Sequence, residues 1–174
     1  PNRIAAVALT HGHLDHTWGL LPFLQTLSLD GRQQSLMVYG PTSAEILDAL
    51  NDGGIDATIP SDTASAELLN QYRAWFNLGG TSSQLGFPIR WLLGDPRSGR
   101  WVEFVDDATN LVWHDAMPQP DTFQLFRMDS IPTHHSIPSC AWQISRKERK
   151  GSFDRDKAAI AGLSQEQKKS LSEG

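Results

Sequence analysis

Only one cysteine, Cys140, occurs in the 174 residues, which excludes an internal disulfide framework and suits a reducing, cytoplasmic setting. Long apolar runs are also missing. Nothing approaches the roughly 18 residues needed to span a bilayer, and no basic-then-apolar segment opens the chain, so no membrane partner is expected. Positive charge is in deficit, with 15 Lys and Arg against 20 Asp and Glu and a net charge of −5. That balance excludes a global basic surface for nucleic acid, so any RNA contact must be local. The one basic cluster, SRKERKGSFDRDK at residues 145–157, is interspersed with acids and reads first as a solvated loop. Fixed-period repeats and low-complexity tracts are absent too. What remains is 39% hydrophobic and 20% charged, the profile of a folded globular protein.

The chain opens on Pro1, with a strand-like apolar run already under way at Ile4, and closes on the polar stretch QEQKKSLSEG. Both ends read as cuts. We therefore expect residues 1–174 to form part of a larger domain within a longer protein.

The front of the chain alternates regularly. IAAVAL is a short continuous apolar run suited to a strand buried on both faces. TWGLLPFLQTLSL carries Trp18, Leu21, Leu24 and Leu27 at near-helical spacing, with Gly19 and Pro22 implying an irregular first turn. SLMVYG reads as a second strand. PTSAEILDALNDGG reads as a helix with Thr42 and Glu45 at capping-box spacing, Ile46, Leu47 and Leu50 on one face, and glycines as the stop. A further amphipathic helix is expected through Leu68, Leu69, Tyr72, Trp75 and Phe76, whose aromatic stripe is read as a packing face. NLGGTSSQLG is expected to be a loop. Beyond Phe87 the pattern turns to strands: PIRWLLG and RWVEFVDD as a hairpin, then ATNLVWHDA, TFQLFRMDSI and SCAWQIS. Strand–helix–strand–helix followed by meandering strands is an α+β layering.

Between the first strand and the first helix stands THGHLDH. Three imidazoles and a carboxylate, His11, His13, Asp15 and His16, fall within six consecutive positions of a chain with six histidines in all. In an extended loop His11 and His13 face one side, whereas Asp15 and His16, at a helix start, point to another quadrant. One loop of this kind can feed two neighbouring cations. Imidazole and carboxylate donors suit Zn²⁺, with Mn²⁺ or Fe²⁺ as lesser options. A two-metal site activates water and clamps the substrate oxygen that gains charge, and Asp15 stands where it can move protons. Histidines gathered by chance would instead lie on a polar loop and bind nothing.

The motif H-x-H-x-D-H, with its strand and helix, resembles the metallo-β-lactamase superfamily. More narrowly, THGHLDHTWGLLPFL followed by MVYGPTSAEILDAL resembles ribonuclease Z, the endonucleases that trim the 3′ end of precursor tRNA. Gly19–Leu20 and Tyr39–Gly40–Pro41 occur in that family's order. PTHHSIPSCAWQISRKERKGSFDRDKA resembles the family stretch in which a ligand His precedes a Pro-Ser step, an aromatic strand, a charged turn and a Gly-x-Phe-Asp segment. The resemblance covers residues 4–52 and 122–160. It implies a partial αβ/βα sandwich, a four-layer fold whose N- and C-terminal portions lie outside this chain, with an insertion near 56–105 and a polar arm-like tail over 146–174. It implies that His11, His13 and His135 hold one metal, that Asp15 and His16 hold the other, and that Asp15 transfers protons. His134 is then a neighbour, and His114 and Asp115 are structural, standing in the wrong order for ligands. The family's bridging Asp and last His have no counterpart here, and no Gly-Pro-rich stretch follows Phe153–Asp154.

Three functions follow as expectations. The first is a zinc-dependent phosphodiesterase acting on precursor tRNA, with a homodimer as a family habit and residues 146–157 touching RNA backbone. The second keeps the fold and changes the substrate to a cyclic nucleotide or other small phosphodiester, a thioester or a lactone. The third is a non-catalytic metal-binding remnant. Lacking the bridging carboxylate, the isolated segment is expected to be inactive.

Overall fold

The computed structural model describes residues 3–60, 63–147 and 153–173. Of the basic stretch at 145–157, residues 148–152 therefore lie outside the described residues, as do Pro1 and the Gly of the Gly-x-Phe-Asp segment.

The apolar run after Ile4 forms β1 (Ala6–Ala8), and SLMVYG forms β2 (Leu36–Pro41), buried at every position. Between them the helical stretch breaks in two: α1 (Leu14–Thr17) and α2 (Leu20–Leu29). Gly19 is the N-cap of α2, which places Pro22 in its first turn, where a missing N–H costs no intrahelical bond. The restart also rotates the face. Leu20, Leu24 and Leu27 are buried, while Trp18, expected on that face, is 76% exposed.

Next comes α3 (Ala44–Gly53), burying Ile46, Leu47 and Leu50 as its spacing predicts. Its cap is Ser43, whose hydroxyl accepts from the Ile46 N–H at 3.4 Å, and not Thr42 with Glu45. Both residues are competent caps, and the one that wins is the one whose backbone is extended at the boundary. Short 3₁₀ turns at Gly54–Asp56 and Ala64–Ala66 lead to α4 (Glu67–Asn77). The presumed loop 77–86 contains a one-turn helix, α5 (Ser82–Leu85), begun by Gln84 accepting from the Thr81 N–H at 3.2 Å. Then follow β3 (Ile89–Gly94), β4 (Trp101–Val105) and β5 (Asn110–His114). A separate hairpin of β6 (Phe126–Pro132) and β7 (Cys140–Arg146) follows. The polar tail holds two short helices, α6 (Arg155–Ile160) and α7 (Gln165–Glu173), where the polarity of the stretch had suggested no closing element.

The main sheet runs β1-β2-β3-β4-β5, parallel through β3 and antiparallel beyond. Residues 89–105, within the stretch read as an insertion, thus continue the sheet from β2. Alternation sorts the sheet into two faces. Val38, Trp91, Leu93, Val102 and Phe104 pack with α2, α3 and α4 in one core. The α4 stripe lies there as expected, with Tyr72 4.8 Å from Trp91 and Phe76 5.4 Å from Phe104 between ring centroids. On the opposite face Met37, Tyr39, Leu92 and Trp101 pack with Met128 and Trp142 of the hairpin. The described residues therefore form three layers: helices, sheet and hairpin. No helix among them is long and apolar enough to cross a membrane.

Candidate metal centre

Residues 10–16 leave the carboxyl end of β1, where strands in layered αβ folds deliver ligand-binding loops. The Leu9 N–H donates to the Tyr39 carbonyl at 2.9 Å, extending the strand pairing to the threshold of the loop. Gly12 lies against the start of α4: a Cβ there would meet the Leu68 backbone nitrogen at 3.2 Å, too close for comfort. The Gln71 side-chain amide donates to the Gly12 carbonyl. Gly40 is tighter still, since any Cβ would run into the Leu68 side chain and the Tyr72 hydroxyl. That close approach accounts for glycine in the Tyr-Gly-Pro strand end. These contacts hold His11 buried, at 7% exposure, and leave His13 half-buried.

His135 lies 122 positions after His13 in the chain, on the turn between β6 and β7. The Cys140 N–H donates to the Thr10 carbonyl at 2.9 Å, Ser139 bridges His11, and the Trp142 indole donates to the Leu9 carbonyl at 3.1 Å. The Tyr39 ring, 5.9 Å from Trp142, closes the apolar side of this seam. The hairpin is thereby stitched to the first loop, and its turn lies over it.

The result brings one nitrogen from each of His11, His13 and His135 within 4.8 Å of one another. The ring of His16 approaches His11 at 4.2 Å, and its Nε2 is 3.4 Å from the Asp15 carboxylate. Both Asp15 and His16 are exposed. His134 is exposed and outside the three-nitrogen group. His114 lies on β5 and pairs with Glu103 at 3.0 Å, which Arg90 also binds at 2.7 Å, a structural arrangement as expected.

The chemistry of the donors fits a divalent cation. Thr10 Oγ1 stands 3.0 Å from His11 Nδ1, and Ser136 Oγ stands 3.2 Å from His135 Nδ1. Engaging Nδ1 fixes the ring and leaves Nε2 as the free donor. Burial, followed by the fields of His16, His135 and His13, outweighs the attraction of Asp15 and lowers the His11 pKa below its usual value. The ring is then neutral at physiological pH, the form that binds metal. Among the described residues this is the one group of three or more donors close enough to share an ion. Sequence reasoning missed Thr10, Ser136, Leu68 and Gln71. The two hydroxyls could have been suspected as neighbours of His11 and His135, but nothing in the sequence pattern joins α4 to the loop.

Residues 1–32 match a family model described as the metallo-beta-lactamase superfamily. A protein named Ribonuclease Z from Synechococcus sp. (strain WH7803) is 26% identical over 159 residues, 90% of this chain and 36% of that protein. The chain is similar to the metallo-β-lactamase superfamily over its first 32 residues and to proteins named Ribonuclease Z along most of its length. A second Ribonuclease Z, from Pyrococcus furiosus, is 22% identical over 94% of this chain and 38% of its own length. A third, from Myxococcus xanthus, is 46% identical over 44 residues, 25% of this chain and 14% of that protein. The chain thus spans little more than a third of the two relatives it matches along most of its length. Its α+β architecture, a five-stranded mixed sheet with helices on one face, is consistent with a partial version of that superfamily's fold. No solved structure gives a significant match.

Proposed function

We propose that this chain is the metal-loop portion of a zinc-dependent phosphodiesterase of the ribonuclease Z kind, acting in the cytoplasm on the 3′ end of precursor tRNA. One observation carries the reading: three imidazoles from two distant loops converge within 4.8 Å, on a chain whose relatives are named Ribonuclease Z. In this reading His11, His13 and His135 hold one ion, and Asp15 and His16 contribute to a second. A bound divalent cation supplies Lewis acidity and lowers the pKa of water at the site.

The chain's own residues do the rest. Thr10 and Ser136 engage the Nδ1 atoms of His11 and His135, which leaves Nε2 of each ring for an ion. Buried Leu9 and Cys140, with half-buried Trp142 bonded to the Leu9 carbonyl, tie the hairpin to the base of the first loop. Asp15, exposed at the start of α1 and paired with His16, is free to take a proton from attacking water and to pass one to the leaving oxygen.

A narrower reading concerns the chain by itself. Among the described residues Asp15 and His16 are joined by no third donor in a group close enough to share an ion. We therefore expect the 174-residue chain to hold one ion and to leave precursor tRNA uncut. Chelator-sensitive cleavage by the purified chain would contradict that expectation. In a longer chain that supplies a further Asp and His, Asp15→Ala should abolish cleavage of precursor tRNA. Preferential turnover of bis(p-nitrophenyl) phosphate over precursor tRNA by that longer chain would instead favour a small-phosphodiester hydrolase.

A further inference from the structure

A cavity of about 470 Å³ opens beside His135, between the β6–β7 turn, the start of α3 and the turn after β3. We propose that it seats a phosphate group of the nucleic-acid strand, neighbouring the one that is cleaved. Only the identity of the strand rests on the nuclease reading; the anion site itself does not.

Four features of the cavity converge on an anion. It is lined by Thr42, Ser43 and Ala44 at the N-terminus of α3, a ten-residue helix. Ser43 satisfies the Ile46 N–H, but the N–H groups of Ala44 and Glu45 have no partner among the described residues. These are the partial positive charges that make a helix start receptive to phosphate. Thr42 is 2% exposed, lines the same cavity, and its hydroxyl finds no partner within the described protein. A buried hydroxyl left unpaired is costly unless a ligand or water completes it.

Arg97 supplies the charge. Its neighbours in this part of the fold are already paired, Arg90 with Glu103 and Arg100 with Asp48, whereas Arg97 has no ion pair among the described residues. His134, exposed on the opposite wall, adds a further donor. Two acids lie nearby. Asp95 turns its carboxylate into its own turn, accepting from the Arg97 and Ser98 N–H groups at 3.0 and 3.1 Å. Glu45 is exposed on the first turn of α3. The cavity adjoins His135 directly, so a strand with one phosphate at the imidazole cluster can lay a neighbouring one here. A substrate with a single phosphate cannot use both positions.

The test is an NMR titration of the chelator-treated 174-residue chain with inorganic phosphate, then with a short single-stranded oligoribonucleotide. The amides of Ala44 and Glu45 should shift in both arms. Arg97→Gln should weaken phosphate binding about tenfold, as expected for loss of a charge-assisted hydrogen bond, with Arg97→Lys restoring part of it. Thr42→Val, which keeps the shape, should weaken it severalfold. Equal affinity in Arg97→Gln, or shifts confined to other parts of the chain, would overturn the site. Shifts with inorganic phosphate but none with the oligoribonucleotide would overturn its assignment to a strand. The two readings fail separately. His13→Ala should leave the phosphate shifts intact. Phosphate binding in a protein whose longer form never cuts RNA would leave the anion site standing without the nuclease.

Discussion

The two loops that bring imidazoles together are held in different ways. The first loop, residues 10–16, is anchored to the main core through two of its residues: His11 is buried, Gly12 lies under Leu68, and Gln71 ties the Gly12 carbonyl to α4. Residues 133–139 are fixed at their base and open at their tip. Thr133 and Ser139 pair at the neck, with backbone and hydroxyl contacts of 3.0 and 2.8 Å, and Cys140 bonds to Thr10, but His135 itself is exposed. The first loop is ordered by folding alone. The second still has side-chain freedom to lose when it binds an ion, and that ordering opposes binding. A preorganised pair of donors with a late third one is the consequence.

The largest effect expected from breaking this contrast is on the first loop. Leu68 is 3% exposed and supports both Gly12 and Gly40. Leu68→Ala should cost about 2–5 kcal/mol of stability in denaturant unfolding and lower zinc affinity as well, because the loop loses its floor. A variant that lost stability but kept wild-type zinc affinity would show that the loop does not depend on α4.

The supporting hydroxyls sharpen the comparison. Thr10→Val should reduce zinc affinity by roughly 10–100-fold, the usual cost of losing a partner that orients a ligand histidine. Ser136→Ala should cost less, since the tip of its loop is less fixed to begin with. Competition against a calibrated chelator measures both, and the reverse ranking would remove the distinction between the loops.

How much of this was readable in advance follows from where each signal resides. The strands β1 and β2 and the buried face of α3 follow from local patterning, which a single stretch carries in full. So does the cluster in THGHLDH. The cap of α3 fell one residue from its expected place because Thr42 and Ser43 are chemically equivalent candidates, and local backbone geometry chose between them. Trp18 left its expected face because the chain restarts its helix at Leu20. The contact of Gln71 with Gly12, and the continuation of the sheet through 89–105, join segments whose patterns carry no record of each other. His135 was reachable only through its resemblance to a family stretch, since no periodicity separates it from His134.

A smaller effect separates the sheet from both loops. Burial alone would raise the pKa of Glu103, but its hydrogen bonds and charge pairing with Arg90 and His114 hold it below the usual carboxylate value of 4.5. A depressed carboxylate contributes stability that is present above the unfolded pKa and lost as pH falls through the lower folded one. Stability should therefore decline below about pH 4.5 through the sheet, and Glu103→Gln should flatten that part of the profile. An unchanged profile in Glu103→Gln would place the acid sensitivity elsewhere.

The most direct measurement is a zinc titration of the 174-residue chain beside His11→Ala and His135→Ala, read by calorimetry and by the nitrogen signature in X-ray absorption. The account expects one tightly held ion with three imidazole nitrogens, lost in His11→Ala and much weakened in His135→Ala. Wild-type affinity in His135→Ala, with the same nitrogen count, would contradict a centre shared between the two loops.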